Sequence, residues 1–91
     1  MKKRAHLLIG GRVQGVCYRV AAREEACKRG LTGWVKNLRD GNVEIAAEGL
    51  EEQLADFAEW CRSGPPLAKV ADVKAQYSEA SGEWTTFDVR S

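Results

Sequence analysis

The sequence predicts an α+β protein in which two helices pack on one face of a mainly antiparallel sheet. Three observations carry that prediction. Two segments, Val20 to Arg29 and Glu51 to Arg62, place apolar residues at helical spacing. The stretches between them are short, and either alternate apolar with polar residues or are rich in β-branched and aromatic types. The order is β-α-β-β-α-β with one further short strand. At 91 residues, 44% hydrophobic and 30% charged, the chain has room for one core, so residues 1–91 are expected to form a single domain.

The elements are justified in turn. Ala5-His6-Leu7-Leu8-Ile9 is strand-like. In the first helix Ala22 and Ala26 lie one turn apart, and Val20 and Cys27, seven apart, are expected to extend the same face. Lys28 and Arg29 suit its last turn and Gly30 its C′ position. Leu31 to Leu38 reads as a strand, and Arg39-Asp40-Gly41-Asn42 supplies an Asp-Gly hairpin turn. Val43 to Glu48 alternates as a half-buried strand should.

The second helix carries a stripe of Leu50, Leu54, Phe57, Ala58 and Cys61, has Glu51 and Glu52 in its first turn, and stops at Ser63-Gly64-Pro65-Pro66. Ala71, Val73, Ala75 and Tyr77 alternate with polar residues in another strand. Ser81-Gly82-Glu83 is loop-like, and Thr85, Phe87 and Val89 mark a short final strand. Right-handed crossovers and two similar halves turn this order into a ferredoxin-like split βαβ, that is, βαββαβ plus a short C-terminal strand.

Composition excludes several classes. The apolar runs are only a few residues long, so no membrane-spanning helix is expected. After Met1-Lys2-Lys3-Arg4, the run to Ile9 is too short for the core of a signal peptide, and a cytoplasmic location is the expectation. Cys17, Cys27 and Cys61 are odd in number and lack metal-ligand spacing, and there is one His. Neither disulfides nor a metal is expected, and no cofactor. The net charge of +1 hides an asymmetry: residues 1–39 carry ten Lys/Arg against two Glu, and residues 40–91 carry four against eleven Asp/Glu. The basic half would concentrate anions, unless the charges alternate in space once the chain folds.

The chemistry centres on Gly11-Arg12-Val13-Gln14-Gly15-Val16-Cys17-Tyr18-Arg19, between the first strand and the first helix. A loop entering a helix collects anions, because its N–H groups lack partners and the helix dipole adds positive charge. Arg19 brings a planar fork suited to two phosphate oxygens, although a surface Arg paired with a carboxylate fits the spacing equally well. Cys17 to Arg23 matches the Cys-x5-Arg pattern of thiolate phosphatases. Yet residues 18–22, which would all have to wrap the phosphate as loop, contain no Gly, and Val20-Ala21-Ala22 belong to a good helix. Asn37, at the end of the Trp34 strand, reads by position alone as part of the Asp40-Gly41 turn. His6 reads as structural, Trp34, Trp60 and Trp84 as packing residues, and Lys36 and Arg39 as solvated.

Taken together, the Gly11-to-Arg19 motif, then Gly30-Leu31-Thr32-Gly33-Trp34-Val35-Lys36-Asn37, then Asp40-Gly41, resemble the signature of the acylphosphatases. The resemblance is close over the first half, and in length and element order over the second. Many members of that family have Gly where Cys17 stands and Phe where Tyr18 stands, while others carry Cys. A loop working through its N–H groups accommodates Cys17 if the local φ is negative.

The resemblance implies hydrolysis of the carboxyl-phosphate anhydride of acyl phosphates, giving a carboxylate and inorganic phosphate. It implies that Arg19 binds the phosphoryl group and Asn37 orients the attacking water. The N–H groups of Gly15, Val16, Cys17, Tyr18 and Arg19 complete the cradle. The implied partner is a small acyl phosphate, with no metal and no membrane, and the chain is expected to be a monomer. Two alternatives have different signatures. A Cys17-dependent phosphatase would lose activity in Cys17→Ser. A nucleic-acid-binding module of the same architecture needs aromatics on a central strand, where Val43 to Glu48 offers none and two Glu.

Overall fold

The computed structural model describes residues 1–91. The elements are β1 (Lys2–Arg12), α1 (Tyr18–Lys28), β2 (Thr32–Asn37), β3 (Val43–Leu50), α2 (Glu51–Cys61), β4 (Lys69–Glu79) and β5 (Phe87–Arg90). The sheet order is β4-β1-β3-β2-β5. All pairings are antiparallel except β2 with β5, which is parallel. Each helix therefore joins two strands that have a third between them, as the split βαβ requires. The final strand, whose place the sequence leaves open, adds to the edge beside β2.

One face of the sheet buries Ala5, Leu7 and Ile9 of β1, Val35 of β2, Val43, Ile45 and Ala47 of β3, and Phe87 of β5. Against them lie Tyr18, Ala22 and Ala26 of α1 and Leu54, Phe57, Ala58 and Cys61 of α2. Alternation at period two thus puts one set of strand residues under the helices and leaves the other outside. Phe57 is fully buried, with its ring stacked on Trp60 and edge-on to Phe87. Its burial contributes about 3 kcal/mol.

Several expectations change. α1 begins at Tyr18, two residues before the apolar pattern predicted, so its buried face is Tyr18-Ala22-Ala26. Val20 is 48% exposed and Cys27 is exposed, because both point away from the face that the Tyr18 ring sets. Leu50 ends β3 rather than joining the α2 stripe, and it too is 48% exposed. The helix end agrees with expectation. Gly30 has φ +69, its N–H reaches the Cys27 carbonyl, and that of Leu31 reaches Ala26, closing the last turn. β4 lies outside the cover of the helices, so only Val70 and Val73 are even partly buried and its alternation gives no buried stripe.

The basic N-terminal segment is strand, not tail. Across the sheet Lys3 pairs with Glu79, Arg4 with Glu48 and Glu83, and Lys36 with Glu44. Much of the charge asymmetry is thereby neutralised in space. Arg12, Arg19 and Arg39, at the loop end, enter no ion pair, and there the positive field survives.

Glu48 is the one buried charged side chain. Burial pushes its pKa up, but hydrogen bonds from the N–H groups of Ser81 and Gly82 and from Arg4 overcome this and hold it at about 2, against an ordinary 4.5. A carboxyl whose folded pKa is depressed stabilises the fold fully above its unfolded pKa. That stabilisation is lost as pH falls from about 4.5 towards 2. The lowering amounts to roughly 3 kcal/mol. Urea midpoints should therefore drop through this range, and Glu48→Gln should start lower at neutral pH and flatten the drop. An unchanged acid limb in Glu48→Gln would refute the role.

Candidate active site

The loop after β1 is held from beneath by its apolar residues. Val13 and Tyr18 are buried, and Val16 packs against the core. The Tyr18 hydroxyl donates to the Cys61 carbonyl at 2.8 Å, tying the start of α1 to the end of α2. Gly15 and Cys17 are exposed between these anchors, with φ of +74 and +64. Left-handed turns of this kind gather successive N–H groups around a concavity that suits an anion. None of the N–H groups from Gly15 to Val20 donates to a protein acceptor; the first helical bond comes from Ala21 to the Cys17 carbonyl.

Arg19 lies in the first turn of α1. Its Nη1 donates to the Arg90 carbonyl at 2.8 Å, so β5 holds the guanidinium in place. The acceptor is neutral, and no carboxylate pairs with Arg19, which leaves its charge uncompensated. Asn37 closes β2, paired in register with Val43. Turn chemistry belongs instead to Asn42, whose N–H and side-chain amide donate to Asp40. The Oδ1 of Asn37 is buried and has no hydrogen-bond partner.

Gly15, Cys17, Tyr18, Arg19 and Asn37 line one cleft of about 300 Å³, together with Val13 and Val20. Val16, the remaining residue of the expected cradle, is not among the lining residues. A wider groove of about 660 Å³ runs beside Leu54, Ala55 and Tyr77, but Lys3 and Glu79 at its edge are paired to each other. The free cation and the orphaned acceptor both lie in the smaller cleft.

The comparisons with known proteins follow the same lines. The acylphosphatase family model matches residues 5–89. The chain belongs to the acylphosphatase family. It is 51% identical over 87 residues to the acylphosphatase of Methylococcus capsulatus, covering 96% of this chain and 95% of that one. The crystal structure of acylphosphatase from Bacillus subtilis superposes with a TM-score of 0.94 at 40% identity, over 98% of this chain and 99% of that one. An acylphosphatase from Coxiella burnetii gives 0.92 at 37% identity, over 98% and 93%.

Cys17 is the one non-glycine residue of the chain with a positive φ. The negative φ expected for it is not what the fold imposes: residue 17 is left-handed, a conformation that costs a non-glycine residue about 1 kcal/mol. Cys17→Gly relieves that strain but adds unfolded-state entropy, so it should raise stability by less than about 1 kcal/mol, or at most roughly 5 °C in Tm, and retain hydrolysis. A lower Tm would show that the thiol makes a contact worth more than this net gain. Residues 18–22 are helical and cannot wrap a phosphate as the Cys-x5-Arg chemistry demands. Cys61 is no nucleophile either, since burial pushes its thiol up to about 12.

The remaining candidates fall outside this cleft. His6 bonds to Glu44 at 2.7 Å on the outer sheet face. Trp60 packs on Tyr18 and Phe57, while Trp34 lies under Lys36 and Arg90, and Trp84 under Arg4. Two of the three tryptophans are therefore covered by cations rather than by the core. Sequence reasoning missed Val20 as part of the cleft wall and Arg90 as the anchor of Arg19. For Val20 the signal was its position directly after Arg19. For Arg90 there was none, because the contact joins residues 71 positions apart.

Proposed function

We propose that this cleft hydrolyses acyl phosphates, with Arg19 and the N–H groups of Gly15 to Arg19 holding the phosphoryl group and Asn37 orienting the attacking water. The observation that carries the reading is the joint presence of an uncompensated guanidinium and a buried, unpartnered amide oxygen in one cleft. The first suits a phosphoryl group and the second a water proton.

In the reaction the water oxygen bonds to phosphorus as the phosphorus–oxygen bond to the acyl group breaks. The bonding pair leaves with the carboxylate. Its conjugate acid has a pKa of roughly 4, so it departs without a general acid. Charge spread over the equatorial phosphoryl oxygens meets Arg19 and the loop N–H groups, where fixed donors are most effective. Asn37 is not a base near neutral pH, but its carbonyl oxygen accepts from water and fixes the line of attack. The water's proton passes to a phosphoryl oxygen of the substrate, and the products are a carboxylate and inorganic phosphate.

The reading assigns no metal or cofactor, a monomer, and a cytoplasmic location. No three His, Cys, Asp or Glu side chains come together to hold a metal ion, and no helix is long and apolar enough to cross a membrane. The outer sheet face offers nucleic acid little, since Glu44 and Glu48 occupy its central strand. Steady-state hydrolysis of benzoyl phosphate in excess chelator tests the reading. Turnover unchanged by the chelator is expected. Loss of turnover that added divalent cation restores would refute the metal-free mechanism, and absence of turnover in either condition would refute the whole.

A further inference from the structure

We propose that Gln14 is a positioning residue for Asn37, acting as the strut that sets the distance between the phosphate loop and the end of β2. The proposal rests on the roles given above to the loop and to Asn37.

The Nε2 of Gln14 donates to the Leu38 carbonyl at 2.7 Å and to the Asn42 carbonyl at 2.9 Å. Only the amino end of the amide can face two carbonyls, so its orientation is fixed by its partners. Both carbonyls already accept a bond within the turn: Leu38 from the Gly41 N–H, and Asn42 from the Leu38 N–H. Each has a second lone pair, and Gln14 fills both. The turn is therefore closed without Gln14, and what the glutamine adds is a link across 24 to 28 residues of sequence.

That link is the only one of its kind. No other hydrogen bond joins residues 13–17 to residues 37–42. At one end it holds the residue just before Gly15, where the cradle starts. At the other it holds the carbonyl of Leu38, directly after Asn37. On the roles proposed above, the separation between the N–H cradle and the Asn37 Oδ1 sets that between phosphorus and its attacking water. A displacement of about 1 Å in such an arrangement can cost on the order of a hundredfold in rate. Gln14 does not face the reacting atoms, and it is not among the residues lining the cleft. It acts through the backbone.

The test compares Gln14→Met, of similar length without a donor, with Gln14→Lys, whose ammonium can again donate to both carbonyls, each alone and in an Asn37→Ala background. Benzoyl phosphate turnover and inhibition by inorganic phosphate are read per folded molecule. Gln14→Met should lower kcat about tenfold or more while KM and phosphate inhibition move by less than about twofold. Gln14→Lys should recover most of kcat. In the Asn37→Ala background Gln14→Met should lower kcat by less than about twofold, since there is no longer an oriented water to misplace.

The proposal is overturned if Gln14→Met alone keeps kcat within about twofold, if its loss appears in phosphate binding, or if the full loss persists without Asn37. It also falls, together with the water-orienting role itself, if Asn37→Ala retains kcat. That outcome is distinct from failure of the strut alone, in which Asn37→Ala loses kcat and Gln14→Met does not. Should Gln14→Met fail to fold, Gln14→Asn, which keeps the donor but is too short to span both carbonyls, takes its place under the same criteria.

Discussion

Arg19→Ala is expected to lower kcat/KM for benzoyl phosphate by about a thousandfold or more, with inhibition by inorganic phosphate weakened in parallel. The guanidinium is the one cationic side chain lining the cleft, and its structural partner is a neutral backbone carbonyl. A charge-assisted fork onto phosphoryl oxygens is lost outright, and the loop N–H groups remain as the only donors. The same substitution should leave stability within about 1 kcal/mol of the parent, because the hydrogen bond to Arg90 is exposed. Arg19→Lys sharpens the test. It restores charge without the planar fork, and recovery of only a small part of the loss is expected. Turnover retained in Arg19→Ala would remove Arg19 from the mechanism.

Asn37→Ala is expected to lower kcat by about a hundredfold or more while phosphate inhibition stays nearly constant. Its second signature lies in stability. A buried oxygen with no partner carries an uncompensated desolvation cost, of about 1–3 kcal/mol. Removing it should leave the protein as stable as before, or more so. A residue kept for folding would show the reverse, a lower urea midpoint with activity per folded molecule preserved. The combination of less activity with equal or greater stability is the mark of a group whose partner arrives with the reaction. Asn37→Asp should be as inactive as Asn37→Ala, since a carboxylate in that position repels the phosphoryl oxygens.

These two residues differ in how far the chain itself revealed them. Arg19 was legible as a candidate because loop, helix start and guanidinium are adjacent in sequence, although a surface ion pair fitted its spacing equally well. Asn37 was ambiguous by position, since Asn before an Asp-Gly turn has a local explanation. The fold removes that explanation by giving the turn to Asn42, and leaves the Asn37 oxygen buried and unpartnered. Gln14 stood in the motif without a role, because its partners lie at Leu38 and Asn42.

Fold class, element order and the faces of β1, β2 and β3 follow from residue periodicity, which is a local property of the chain. The start of α1 was misplaced because Tyr18, not an apolar repeat, sets its buried face. The bare flank of β4 was hidden for a different reason. Alternation shows which residues share a face, but not whether a helix covers it. Likewise the sequence by itself determined that a loop suited to an anion enters α1, through an unpaired run of N–H groups that any such junction produces. Only the tertiary structure decided what faces that loop: β5 reaches across to fix Arg19, β2 ends at Asn37, and residue 17 is forced left-handed. Those outcomes depend on contacts between residues far apart in the chain, and no local pattern encodes them.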